Sequence, residues 1–364
     1  MKSRIRRTLV ETFDDDVAQQ ARLECLGGHA SLRIYWRVHL PLQLSPPRAY
    51  PRGETTLMAM VLPEDADPFD SAEGLSDDAP TAGQMPFVEM QRYLADIGMP
   101  VPSIDTVDMD RGVLLLEDLG DRLFEHAVEE ADDLAEIREL YRQAIDVLVK
   151  LQTQVHRRGH EYGDGSPCIG FERRFDRELL TWELEHFIEW GLEARLGEEN
   201  VADLVEPLRE QFERVVDELL ALPQTLVLRD FQSRNIMFKQ ADWILIDFQD
   251  ALVGPFVYDL VALLRDSYVE LPDEAIAPLV DYYADRCADE QLPWGEDTDA
   301  VHRAFHLQTV QRKLKDAGRF INIDRVKNDP SFLDYYAPSI RYVCDAVEQL
   351  DGFERLGQLL SRVE

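Results

Sequence analysis

A chain of 364 residues with 45% hydrophobic composition suits two or three lobes or one large domain, and is ample for a real core. Its 71 acidic residues against 38 basic ones give a net charge of −33. Such a charge repels phosphate backbones and anionic lipid heads, so neither nucleic acid nor membrane is an expected partner. No apolar run approaches the roughly 20 residues of a membrane helix. The basic start MKSRIRR lacks the apolar stretch and cleavage site of a signal peptide, so a cytoplasmic protein is expected. Cys25, Cys168, Cys287 and Cys344 are far apart, which argues against a zinc site or a disulfide framework.

Residues 11–26 read as an amphipathic helix running into Gly27 and Gly28. SLRIYWRVHL (31–40) and TTLMAMVL (55–62) are β-rich and read as strands, joined by a connection rich in Pro and Gly. Residues 63–86 are acidic and rich in Pro, Gly and Ala, the composition of a mobile loop that would suit a lid. Phe87, Met90, Leu94 and Ile97 fall at helical spacing and stop at Gly98. SIDTVDMDRGVLLLEDLG reads as two strands about an MDRG turn. After Gly120 the period changes. Residues 133–157, 171–196 and 201–222 read as helices, as does most of the chain from about 256 onward. Strands first and helices second predict an α+β fold of two lobes, residues 1–118 and 119–364, with a cleft at the LEDLG crossing.

The chemistry concentrates where apolar runs are broken. LVLRDFQSRNIMF (226–238) carries Asp230 and Asn235, and WILIDFQDA (243–251) carries Asp247. Strands over 225–228 and 243–246 would pair as a hairpin-like unit and bring all three residues to one point. Two carboxylates and an amide are hard oxygen ligands, the set Mg2+ accepts when substrate phosphates complete its shell. An aspartate left over from the metal can take a proton from an attacking hydroxyl. The order Asp-x4-Asn followed by Asp-Phe is that of the catalytic loop and metal-binding aspartate of kinase-like enzymes. Either aspartate alone would more simply cap a turn. The full arrangement argues against that reading.

LRDFQSRNIMF…WILIDFQDALVGPFVYDLVALLRDSY, with FDRELLTWELEHFIEW (175–190) and GVLLLEDLG (112–120), closely resembles the aminoglycoside phosphotransferase-like kinases. Within them it is most similar to the bacterial N-acetylmuramate/N-acetylglucosamine anomeric kinases. The resemblance implies a two-lobed protein-kinase-like fold with a small antiparallel-sheet N-lobe and a mainly helical C-lobe. It implies ATP and Mg2+ as cofactors, Asp230 as catalytic base, and Asn235 and Asp247 as metal ligands. Asp259, in VYDL, would brace the catalytic loop, and a plain helix cap is the alternative. Glu117 to Leu119 would offer backbone groups to adenine. GGHASLRIYW would cover the phosphates with Gly27, Gly28, Ser31 and Arg33. Gln249 would line the acceptor side. The sequence departs from the pattern in two places. Leu228 stands where such kinases often carry His, and Met58, Ala59 and Met60 stand where a kinase-like strand places Lys. Glu89 fits the helix carboxylate that would pair with that lysine, or a solvated face.

Asp176, Leu180, Glu183, Phe187 and Trp190 share one helical face. Acids among aromatic rings suit a sugar, whose hydroxyls and C–H faces they would meet, so Glu183 and Asp176 are candidate acceptor contacts. The competing reading is a core-facing helix whose acids pair with arginine. His186 is expected on the surface. The combined expectation is an ATP-dependent kinase acting on the anomeric hydroxyl of an amino sugar. Its rivals are a kinase for an aminoglycoside, choline or another sugar, and a nucleotide-binding pseudokinase.

Overall fold

The computed structural model describes residues 1–27, 33–41, 55–63, 85–160 and 167–363. The first part of the chain builds α1 (Lys2–Thr12), α2 (Asp15–Gln20), β1 (Arg22–Gly27), β2 (Ile34–His39), β3 (Thr56–Val61), α3 (Pro86–Asp96), β4 (Ile104–Asp108) and β5 (Val113–Glu117). The five strands form one antiparallel sheet in the order β1-β2-β3-β5-β4. Alternation gives the sheet two apolar faces. Trp36, Val38, Leu57, Ala59, Val113 and Leu115 pack against Ile5, Leu9, Phe13 and Val17 of the N-terminal helices. Met60, Leu114 and Leu116 face α3 through Met90 and Leu94, in the same core as much of the remaining chain.

The single helix expected over 11–26 is not formed. Asp14 caps a short helix by accepting from Val17 N, and the backbone extends after Ala21. Arg22–Gly27 then pairs with β2, Cys25 opposite Trp36. The exposed main chain of β2 supplies a ladder of hydrogen bonds, and that pairing overrides helical spacing.

The rest of the chain carries α4 (Phe124–Glu129), α5 (Leu134–Arg158), α6 (Arg177–His186), α7 (Glu198–Ala221), β6 (Gln224–Val227), β7 (Ile236–Lys239), β8 (Asp242–Leu245), β9 (Leu252–Pro255), α8 (Tyr258–Leu264), α9 (Asp273–Asp289), α10 (Thr298–Lys327), α11 (Tyr336–Glu348) and α12 (Glu354–Leu360). The helix α6 continues into a π-helical stretch, Phe187–Ala194. The long helix α10 packs on α11, α6, α8, α9 and that stretch. Gly318 permits the closest approach, because a Cβ there would lie 2.9 Å from both the carbonyl oxygen of His186 and Cα of Phe187. The hairpin expected between 225–228 and 243–246 is replaced by two ladders. β6 pairs with β9, and β7 with β8. The chain is therefore α+β, strands leading and helices following.

Candidate active site

The loop after β6 is held almost entirely through its backbone. Leu228 N donates to Asp259 Oδ2 at 2.7 Å and Arg229 N to Asp259 Oδ1 at 3.1 Å. Arg229 adopts φ 71°, a left-handed conformation that a long side chain rarely takes. It persists because its neighbours over-determine it. Its carbonyl accepts from Arg312 Nη1 at 2.7 Å, and its guanidinium meets Glu183 Oε1 at 3.3 Å. Gln311 Nε2 donates to the other oxygen of Glu183 at 2.6 Å. Further along, Ser233 N donates to Asp266 Oδ2 at 2.7 Å, and Tyr268 N to Asp266 Oδ1 at 2.9 Å.

Asp230 projects from this braced turn with its side chain 39% exposed, and Arg312 Nη2 lies 3.8 Å from its Oδ1. Its carbonyl accepts from Gln232 N at 2.9 Å and from Asn235 Nδ2 at 3.0 Å. That last bond fixes the Asn235 amide by its nitrogen and leaves its oxygen as the ligand-competent atom. Asn235 O accepts from Ile246 N at 3.0 Å, so the loop is joined to the backbone just before Asp247. Asp247 also has a positive φ, 60°. Its Oδ1 accepts from Gln249 Nε2, which donates to Asp250 Oδ2 as well, both at 3.0 Å. Phe248, fully buried, stacks on Phe87 of α3 at 5.2 Å between ring centroids.

Burial raises the Asp247 carboxyl above its ordinary range and the charge of Asp230 raises it further, while the Gln249 hydrogen bond and, more weakly, the charge of Arg33 oppose them. Asp230, Arg33 and Asp247 are thus electrostatic neighbours, and a cation between the two carboxylates would relieve their repulsion. Asp247 with the Asn235 oxygen is a minimal hard-oxygen set. Among the described residues no cluster of three His, Cys, Asp or Glu could hold a metal. The pair fits Mg2+ that brings substrate phosphates and water as its remaining ligands. Asp259, 0% exposed, is pushed up to about 7 by burial, against the lowering effect of the Leu228 N–H, Arg312 and the Arg229 N–H.

The crossing between the sheet and the helices is pinned from both sides. Lys239 Nζ donates to Glu117 Oε1 at 3.0 Å and to the Asp118 carbonyl at 2.8 Å. Arg37 of β2 pairs with the Asp118 carboxylate at 2.7 Å, and Leu119 is buried. Gly27 ends β1 at φ 88°. Gly28, Ser31 and nearly all of the expected lid at 63–86 lie outside the described residues. Met60 and half-buried Met58 belong to the core on the α3 side of the sheet, and no lysine stands on that strand.

The structure gives both candidate acceptor contacts other partners. Asp176 is exposed and caps α6, its Oδ1 accepting from Leu179 N at 2.9 Å. Glu183 is 1% exposed, with both oxygens taken by Arg229 and Gln311. Its aromatic stripe faces the core, so this acid supports the turn before Asp230 from below. The helix begins later than expected because Arg173 to Phe175 run beside Val253 of β9. His186 is half-buried between the rings of Trp182 and Trp190, at 5.5 and 6.2 Å. Sequence reasoning missed Arg312, Asp266, Arg37 and Lys239.

Residues 75–296 match the phosphotransferase enzyme family. The chain belongs to that family. Two relatives are named N-acetylmuramate/N-acetylglucosamine kinase. The one from Pseudomonas putida is 30% identical over 77% of this chain and 78% of its own length. The one from Neisseria meningitidis is 32% identical over 69% of this chain and 73% of its own. Among solved structures, a choline kinase from Cryptosporidium parvum matches with a TM-score of 0.63 at 12% identity, over 99% of this phosphotransferase and 100% of that chain. An aminoglycoside phosphotransferase in complex with streptomycin and ATP matches with a TM-score of 0.53 at 15% identity, over 96% of each chain. The fold of this phosphotransferase is therefore the two-lobed kinase-like one, and the enzyme is a kinase. No helix among the described residues is long and apolar enough to cross a membrane.

Proposed function

We propose that this phosphotransferase moves the γ-phosphoryl group of ATP onto the anomeric hydroxyl of N-acetylmuramate or N-acetylglucosamine, giving a sugar 1-phosphate for cell-wall recycling in the cytoplasm. The observation that carries this reading is the name shared by two relatives at 30% and 32% identity over most of the chain. Residues 1–118 would form the nucleotide lobe and 119–364 the catalytic and acceptor lobe. Asp230 accepts the hydroxyl proton as the sugar oxygen bonds to the γ-phosphorus and the bridge to ADP breaks. An anomeric hydroxyl is more acidic than an ordinary alcohol, which eases that transfer. Asn235 and Asp247 would hold Mg2+, which neutralises phosphate charge when bound.

Asp259 and Arg312 keep the turn in its strained conformation, so they position the base. Gly27, Gly28 and Ser31 would approach the phosphates through backbone N–H groups, with Glu117 to Leu119 beside adenine. Arg33 would supply the positive charge that β3 lacks, a role supported by the lowering effect of its charge on the Asp247 carboxyl. Gln249 would line the acceptor side.

The test is ADP release by purified protein with Mg-ATP and N-acetylmuramate, N-acetylglucosamine, glucose, choline or kanamycin, with Asp230→Asn in parallel. Turnover of an amino sugar, a product phosphorylated at the anomeric carbon and loss in the variant are expected. Turnover confined to choline or kanamycin would reject the acceptor. Nucleotide binding without turnover of any acceptor would favour a pseudokinase.

A further inference from the structure

Acids outnumber bases nearly two to one in this chain, and its arginines find them readily. Arg37, Arg111, Arg209 and Arg286 each meet two carboxylates. Arg173 meets none directly among the described residues. It is half-buried, and its Nη1 is wholly buried without a hydrogen-bond partner. Burial accordingly lowers its pKa, while the charge of Asp250 supports the cation and that of Arg229 opposes it. A half-buried guanidinium without an ion pair or hydrogen bonds is costly to keep charged.

The surroundings show what would complete it. Arg173 O accepts from Val253 N at 2.9 Å, and Phe175 N donates to Val253 O at 2.8 Å. The segment therefore runs beside the chain that has just left Asp247. Gln249 ties the Asp247 and Asp250 carboxylates together through Nε2, and its own Oε1 is buried and unpartnered. An unpaired cation and an unpaired amide oxygen thus accompany the residues that follow Asp247. Together they match a ligand offering a carboxylate and a hydrogen-bond donor such as an amide N–H or a hydroxyl.

We propose that Arg173, together with Gln249, forms an anion subsite that receives the carboxylate of the acceptor sugar. This rests on the amino-sugar reading above and deepens it. N-acetylmuramate carries a carboxylate and N-acetylglucosamine does not, so Arg173 sets the preference between them.

The experiment measures kcat/KM for both sugars on the same preparations of wild type, Arg173→Met and Arg173→Lys. The ratio of the two values cancels any loss of folded enzyme. In Arg173→Met the ratio of N-acetylmuramate to N-acetylglucosamine should fall roughly tenfold or more, the worth of a charge-assisted hydrogen bond. Arg173→Lys, which keeps the charge, should retain most of the ratio. An unchanged ratio in Arg173→Met overturns the subsite while the amino-sugar reading stands. If wild type ignores both amino sugars but phosphorylates glucose and glucuronate, that reading fails, and the ratio for this neutral and anionic pair decides the subsite in the same way. Turnover of choline or kanamycin alone overturns both.

Discussion

The sheet and the turn around Asp230 are stabilised by opposite means. The sheet buries apolar side chains on both faces, Val38 and Leu57 on one and Met60 and Leu114 on the other. Burial of this kind is non-directional, and the loss of one side chain is shared among many neighbours. The turn around Asp230 is held by buried charges and aimed hydrogen bonds from Asp259, Asp266, Glu183 and Arg312. A directional bond cannot be shared out, and a buried partner left behind costs its full desolvation. The lesson is that this enzyme places its most brittle contacts where geometry matters most. Single substitutions of similar size should therefore act very differently in the two regions.

The largest effect is expected at Asp230, the proposed base. Asp230→Asn should lower kcat about 10^2- to 10^4-fold, because only the proton acceptor is lost, while the melting temperature stays close to wild type. A variant with full activity would remove Asp230 from the chemistry. Next is Glu183→Ala, which strands the buried Arg229 and should destabilise the fold by about 3–5 kcal/mol in denaturant unfolding. The same variant separates support from substrate contact. If Glu183 touched the acceptor, KM would rise with stability intact. Gly318→Ala should cost about 1–3 kcal/mol, since the new Cβ meets helix backbone that has little room to move. An alanine accepted there without loss would mean that the α6–α10 contact can relax.

How much of this was legible in the sequence follows the same division. The strands β2, β3, β4 and β5 and the helix α3 fall where alternation and helical spacing put them, because burial writes a periodic pattern. Asp230, Asn235 and Asp247 were visible as polar breaks in apolar runs. The bracing was much less visible. A hydrogen bond from Arg312 to a carbonyl 83 residues earlier leaves no local pattern. One signal was available, for QRKLKD (311–316) puts three cations in a helix segment whose surroundings are apolar. Such residues need partners inside. The strand β1 was misread as helix because an edge strand is only half-constrained by burial, and its spacing suited either structure. At Glu183 spacing reports a shared helical face without saying what that face meets, so an acceptor contact and a core-facing acid paired with arginine both fitted the sequence, and the structure has the second.

The smallest predicted effect is a slope, and it isolates one brace. Burial lifts the Asp259 carboxyl from an ordinary value near 3.8 to about 7. In the unfolded chain the group releases its proton near pH 4, whereas the folded protein keeps it to about pH 7. Between these values the folded state binds the extra proton, so the contribution of Asp259 to stability declines as pH rises through that window and is level outside it. Asp266 and Asp247 are raised in the same direction by burial. The total pH dependence therefore cannot be assigned to one group, but they remain in an Asp259→Asn variant and cancel in a difference. An amide in place of this carboxyl has a single acceptor oxygen and cannot take both backbone N–H groups in the same way, so the variant should melt lower at every pH. The gap between it and wild type should narrow from pH 5, flatten through pH 7 and level off near pH 8. Parallel melting curves across that range would mean that Asp259 is already ionised well below pH 7. The two N–H bonds and Arg312 would then outweigh burial, and the turn would be held by a full charge throughout.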